Sequence, residues 1–444
     1  MFPNPQDALP LPPRPSMERY RKLAKGLVKA CKSGDEKAIR NWVEQWSRTI
    51  AKLAEQESGR EAITYIRSVT NEVEKFARHK LIGVGPGCKK CALSDAQFVL
   101  ARSHGFESWP KFLKHLEALT KKNSPISRFE EAADAIVSGD TGNLERLLGE
   151  DAKLVQSRSV REHRATLLHY VSANGVEGYR QRTPKNIVEI TELLLNAGAE
   201  VDATADVYGG GCTALGLAAT SVHPERAGVQ QALLQALLDR GASVEQLSTA
   251  GHGQSIVRAC LANGRLKAAE FLAGRGALLD FIGASGIGRL DLIMGFFAEE
   301  TSLKTAVPRK QIEEGFACAC LYGQRGIVEF LLGKGMDLGA HDGDGQTPLH
   351  WAVIGGRLEL VHLLLRYKPP LEAKNRYGGT VLGQALWSAA HGGDPDTYIA
   401  ILDALARAGA KIPERHIPVN FRVDAWLAER GSQAEPSWHW YGEG

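Results

Sequence analysis

Three residues in the middle of the chain are of the types that move protons: His169, Glu177 and His223. An imidazole and a carboxylate can pass a proton near neutral pH when both reach within about 3 Å of it. Arg180, Arg182 and Arg226 stand close by in sequence and could hold an anion, while Tyr170, Tyr179 and Tyr208 offer ring faces for stacking. The structural alternative is that the arginines and glutamate pair to order long loops, the tyrosines cover neighbouring helices, and the His169 ring hydrogen-bonds to the neighbouring loop. A second set combines Trp351 and Trp387 with Asp280, Asp291, Glu299, Glu300, Glu313 and Glu314. Indole rings beside carboxylates bind a sugar or a cationic side chain, and a carboxylate pair at the right separation hydrolyses a glycoside. Tryptophans that simply fill space between helices are the alternative here.

Other chemical motifs are weaker. Cys88-Lys89-Lys90-Cys91, with His79 and His104 on either side, is half of a zinc site. A structural zinc needs four ligands in a defined arrangement, and both histidines fall inside helical patterns, so no metal is expected. Gly83 to Gly87 lacks the Gly-Lys-Ser/Thr ending of a phosphate loop and the strand before it. The glycines from Gly283 to Gly288 fall at junctions between helices, so no cofactor is expected either. Arg14, Arg19, Arg21, Lys22, Lys25, Lys29 and Lys32 make the first helix basic, with Glu18 the main exception. Such a helix can follow a phosphate backbone or keep its lysines wet. No reading module accompanies it, and the formal charge is only +3, so nucleic acid is not the expected partner.

With 43% hydrophobic and 24% charged residues, the 444-residue chain reads as a folded, soluble protein of two to four domains. No stretch approaches the roughly 20 apolar residues of a membrane span. The proline-rich segment 1–16 resembles neither a secretory signal nor a targeting helix. Seven cysteines do not make a disulfide scaffold in a chain this long, and Cys260, Cys318 and Cys320 sit in apolar helical contexts. Reduced thiols and a cytoplasmic location are expected.

The elements that must position these groups repeat. Gly345-Gln346-Thr347-Pro348-Leu349-His350 has the form of the hairpin and first-helix start of an ankyrin repeat, and Gly379-Thr380-Val381-Leu382 follows 33 residues or so later. Thr347 suits a helix cap, and Pro348 suits the first turn, where its missing donor costs nothing. Leu358, Val361, Leu364 and Leu365 give the second helix its period. Weaker copies run back through Ala317–Leu332, Ser255–Leu272, Phe281–Phe297, Thr213–Leu238 and Thr166–Leu195 to Glu130–Val155, and forward to Thr380–Ile412.

The fold expected is all-α: an ankyrin-repeat solenoid of paired helices with an N-terminal helical region. About eight degenerate repeats span 129–412, helices fill 17–120, and 413–444 adds a capping helix and an aromatic tail, Trp438 to Tyr441. Helices are predicted at Met17–Lys32, Ala38–Glu57, Glu61–Phe76, Ser94–His104 with Ser94 as cap, Trp109–Leu119 and Val423–Glu429. Two insertions, 172–186 and 206–228, break the spacing and carry most of the candidate residues.

Leu93-Ser94-Asp95-Ala96-Gln97 with Gly105-Phe106-Glu107-Ser108-Trp109-Pro110, the run from His163 to Pro184, Tyr208 to Cys212, and His223-Pro224 resemble the large ankyrin-repeat proteins of soil and aquatic bacteria. That resemblance implies a cytoplasmic bacterial protein and supplies no activity for any residue. Two functions remain open. The first is a recognition module that binds a protein partner through a concave groove and the inserted loops. The other is an enzyme or a binder of a small molecule or sugar, using an acid–base pocket between the two insertions.

Overall fold

The computed structural model describes residues 4–12, 15–82, 91–121, 123–245, 255–297 and 307–435. They fall into two compact units, Met1–Ala277 and Leu278–Gly444.

The first unit opens with helices α1 (Met17–Lys32), α2 (Ala38–Ile82), α3 (Leu93–Ser103) and α4 (Trp109–Leu119). Ser16 caps α1, and Tyr20, Ala24, Leu27 and Cys31 form its buried stripe at helical spacing. The sequence predicts a break after Glu57, but the backbone of α2 stays helical through Ser58-Gly59-Arg60. No proline interrupts it, and one interior glycine costs only about 1 kcal/mol. The cap of α3 is Ala92, with no side-chain bond, rather than Ser94. The expectation of reduced thiols fails for Cys31 and Cys91, which form a disulfide across 60 residues. That bond ties the end of α1 to the segment entering α3. Cys212, Cys260, Cys318 and Cys320 remain thiols, and Cys88 to Lys90 lie outside the described residues.

Four helix pairs complete this unit: α5 (Pro125–Ser138) with α6 (Thr141–Glu150), α7 (Leu167–Tyr170) with α8 (Ile187–Asn196), α9 (Ala214–Thr220) with α11 (Gln230–Asp239), and α12 (Ile256–Ala262) with α13 (Leu266–Ala273). The short α10 (Val222–Arg226) lies inside the second insertion. First helices α5, α7, α9 and α12 pack in succession, and α8, α11 and α13 form a second layer behind them. Strand β1 (Thr204–Ala205) pairs antiparallel with β2 (Cys212–Thr213), forming the hairpin that leads into α9.

The second unit holds α14 (Phe281–Gly286) with α15 (Leu290–Gly295), α16 (Arg309–Tyr322) with α17 (Arg325–Gly333), α18 (Pro348–Ile354) with α19 (Leu358–Leu365), and α20 (Val381–Ala390) with α21 (Pro395–Arg407). Helix α22 (Phe421–Ala428), capped by Asn420, closes the end, and β3 (Arg415–His416) pairs parallel with β4 (Gln433–Ala434). Again α14, α16, α18 and α20 stack one on the next. One apolar core, from Phe281 through Leu331, Leu364 and Leu405 to Leu427, runs between the layers. Glu299, Glu300 and the tail from Trp438 to Tyr441 lie outside the described residues.

The repeats share their turn chemistry. At Thr347 the hydroxyl accepts from the His350 N–H, and His350 Nδ1 accepts from the Thr347 N–H at 3.2 Å. Thr166 and His169 form the same reciprocal cap in the first unit, with Nδ1 accepting at 3.1 Å. Asp342 Oδ1 accepts from the N–H groups of Asp344 and Gln346, and 33 positions on Asn375 Oδ1 accepts from those of Tyr377 and Gly379. A backbone bond from Arg376 N–H to the Asp344 carbonyl joins the two hairpins at 2.8 Å.

Packing between successive repeats is close enough to require glycine at Gly355, where a Cβ would lie 2.1 Å from the Leu321 carbonyl oxygen. Gly355→Ala is therefore expected to lower the stability of the second unit by about 1–3 kcal/mol. A urea midpoint for that unit unchanged from wild type would show that the helices can part without cost.

Candidate functional site

The run from Ser159 to Gln181 folds into two irregular loops around one buried charge cluster. A tight hairpin, with Ser159 N–H bonded to the Ala165 carbonyl and Arg164 at φ +50°, turns Arg161 inward. After α7 the chain takes left-handed turns at Ala173 and Gly175, then a 3-10 turn, Gly178–Arg180. Strained backbone of this kind gathers where side-chain placement matters more than local comfort.

Inside, the Arg161 guanidinium lies 2.5 Å from Glu130 Oε1 and 2.8 Å from Glu177 Oε1. Arg180 lies 2.8 Å from Glu130 Oε2, 2.7 Å from Asp134 and 3.4 Å from Glu177. Tyr170 donates to Glu177 Oε1 at 3.4 Å, Arg161 donates to the Tyr179 hydroxyl at 3.3 Å, and the Arg180 guanidinium lies over both tyrosine rings. His163 Nδ1 accepts from the Ala165 N–H, which leaves a proton on Nε2, 3.6 Å from Glu177. Two arginines and two glutamates balance, so the cluster carries no net charge from these four groups. Burial opposes every one of these charges and mutual pairing outweighs it. Burial would raise the Glu130 carboxyl, but Arg161 and Arg180 hold it down at about 2. Against the same opposition, Arg161 and Arg180 hold Glu177 well below the usual carboxylate range. Asp134, at the cluster's exposed edge, meets the Arg180 guanidinium from the solvent side. Among the described residues, Glu177 Oε2, Arg161 Nε, His163 Nε2 and both ring nitrogens of nearby His115 lack hydrogen-bond partners.

The structure therefore gathers Tyr170, Glu177, Tyr179 and Arg180, and leaves the other candidates elsewhere. His169 Nδ1 receives the Thr166 N–H in the cap, and Nε2 lies 3.2 Å from the Cys212 carbonyl in the next hairpin, so both ring nitrogens are engaged. Burial lowers it to about 4. His223 sits half-buried at the start of α10, lowered by burial and by Arg226, with its N–H on the Ser221 hydroxyl. Neither histidine is a partner of Glu177. A general base works best near neutrality, and a carboxylate clamped by two arginines is far from it. Arg182 and Arg226 are exposed, outside the cluster. Tyr208, at φ +49° before three left-handed glycines, places its hydroxyl 2.7 Å from both Gln6 and Asn174 oxygens.

Sequence reasoning missed Glu130, Asp134, Arg161, His163 and His115. One signal was present: Glu130 lies three and seven residues before Ala133 and Val137, on the buried stripe of α5.

A different surface marks the second unit. Tyr377, at the tip of the Asn375 turn, is 72% exposed, and Trp387 on α20 is 58% exposed, stacked on His391 at 4.0 Å. Arg376 pairs with Asp344 at 2.6 Å and with the Tyr377 hydroxyl. Trp351 is half-buried against the core, and its indole donates to Asp342 at 3.0 Å. The acids expected beside these rings have other partners: Asp280 caps α14, Asp291 pairs with Arg289, Glu313 with Arg309, and Glu314 with Lys310. Among the described residues Trp351 meets one carboxylate, Asp342, and Glu299 and Glu300 lie outside them.

Residues 316–415 match the family model for ankyrin repeats, in three copies. Ankyrin repeat domain-containing protein 13C of Homo sapiens is 34% identical over 82 residues, 18% of this chain and 14% of that protein. Its Xenopus laevis counterpart 13C-B is also 34% identical over 82 residues, covering 15% of that protein. The likeness thus spans well under a fifth of these relatives. Among solved structures, the human ASB11 ankyrin repeat domain covers 63% of this chain and 98% of its own, at 20% identity and a TM-score of 0.34.

Proposed function

From a chain that carries ankyrin repeats, we propose a recognition module that binds a protein partner through the hairpin tips and first helices of its second unit. The exposed pair Tyr377 and Trp387 carries this reading. Large aromatic rings left in water on a rigid, well-packed repeat are the residues that dominate protein–protein binding energy. The turn bonds of Asp342 and Asn375 and the Arg376–Asp344 pair hold that face in shape before a partner arrives, which lowers the ordering cost of binding. A bacterial setting, implied by the resemblance of the strings between Leu93 and Pro224, belongs to the same proposal, whereas the Cys31–Cys91 disulfide argues against the cytoplasmic location expected from reduced thiols.

Tyr377→Ala and Trp387→Ala are each expected to weaken binding of a partner captured by the wild-type chain by roughly tenfold or more. Both rings are exposed, so the fold should persist, as circular dichroism can check. Retention of full affinity by the double variant would place the interface elsewhere.

A small polar ligand at the buried cluster is the second reading. It is favoured by the enclosed polar atoms of Glu177, Arg161 and His115 that lack a hydrogen-bond partner among the described residues.

A further inference from the structure

A second surface lies in the first unit and does not depend on the aromatic face. The last turns of α1 and the start of α3 border a shallow groove of about 560 Å³, lined by Lys25, Val28, Lys29, Lys32, Ser33 and Leu93. Its bed is apolar: Val28 is half-buried, and Leu93 is 41% exposed. Lys25, Lys29 and Lys32 stand exposed along one side, and none pairs with a carboxylate among the described residues. Lys22, one turn earlier, already pairs with Glu18 at 2.7 Å. The Cys31–Cys91 disulfide joins the two walls, one residue before Lys32 and two before Leu93. A groove whose sides are covalently tied is pre-organised for an occupant.

We propose that this groove docks an acidic amphipathic helix of a protein partner. At 1.5 Å rise per residue the three lysines span about 10 Å of α1, at spacings of four and three residues. Carboxylates at the same spacings on an antiparallel helix meet them one for one, while the apolar edge of that helix covers Val28 and Leu93. Other anionic occupants fit less well. Single-stranded nucleic acid binds through aromatic stacking platforms, and no ring lines this groove. A membrane surface requires an exposed apolar helix face. The apolar face of α1, Tyr20, Ala24, Leu27 and Cys31, is buried against α2 and α3.

The test uses the full chain and a fluorescent synthetic helical peptide with a leucine stripe flanked by glutamates at those spacings. Anisotropy should show saturable binding that weakens as salt is raised. Lys25→Gln/Lys29→Gln/Lys32→Gln should weaken it by roughly tenfold, since three exposed charge pairs are lost together. Leu93→Ser should weaken it as well, whereas Tyr377→Ala/Trp387→Ala should leave it unchanged, which separates this site from the aromatic face. Circular dichroism confirms that the lysine variant is folded. Equal binding by wild type and the lysine variant, or preferred binding of an oligothymidylate or of phosphatidylglycerol vesicles over the peptide, would overturn the proposal.

Discussion

Arg161→Met is expected to lower the stability of the Met1–Ala277 unit by about 3–5 kcal/mol at pH 7, among the largest effects of any single substitution. Removing one partner of a buried ion network leaves uncompensated charge, here two carboxylates against one arginine, which is far costlier than the network's net contribution. A cavity alone would give a loss that does not depend on pH. Here the sign differs. With Arg161 gone, burial pushes Glu177 up with only Arg180 and His163 opposing it, so the charge penalty of the variant fades as acid protonates that carboxylate. In the wild type the direction is reversed. Glu130 is held at about 2 against an ordinary 4.5, so its stabilising contribution is full above roughly pH 4.5 and is lost as pH falls toward 2. The gap between wild type and variant should therefore narrow on acidification. Hydrogen exchange at 159–181 as a function of urea and pH reads this directly, and a gap that stays constant from pH 7 to 4 would mean that packing rather than charge holds these loops.

Breaking the Cys31–Cys91 bond, by reductant or by Cys31→Ser/Cys91→Ser, should cost the first unit about 4 kcal/mol. The bond closes a loop of 60 residues, and releasing it returns that much chain entropy to the unfolded ensemble. The loss should appear in α1, α2 and α3 through the fluorescence of Trp42 and Trp46. The Leu278–Gly444 unit, whose cysteines are both thiols, should be unaffected. Identical unfolding curves with and without reductant would show that the bond adds nothing to stability.

How far these features could be read from the sequence depended on the distance over which they act. The capping boxes and the Asp342 and Asn375 turns close within four residues, so the strings that make them announce them. Glu177, Tyr179 and Arg180 stand out because their insertion, 172–186, breaks the repeat period. Their partners do not, since Glu130 reaches Arg161 across 31 residues and Arg180 across 50, contacts that only the stacked helices create. Glu130 resembles its solvated neighbour Glu131 until the burial of its side of α5 is known. His169 is of an acid–base type, but it repeats His350 with the same threonine three residues earlier, and the loop-bonded alternative is the one the structure forms. Cys91 has Cys88 three residues away and bonds instead to Cys31, a choice that local spacing does not reveal.

Hydrogen exchange of the full chain, free and bound to a captured partner, tests the central claim most directly. Binding through the aromatic face predicts protection at 342–344 and 375–391, abolished by Tyr377→Ala/Trp387→Ala. Protection confined to 159–181 and 206–228, with those variants still binding, would contradict it and place recognition at the buried cluster and its loops.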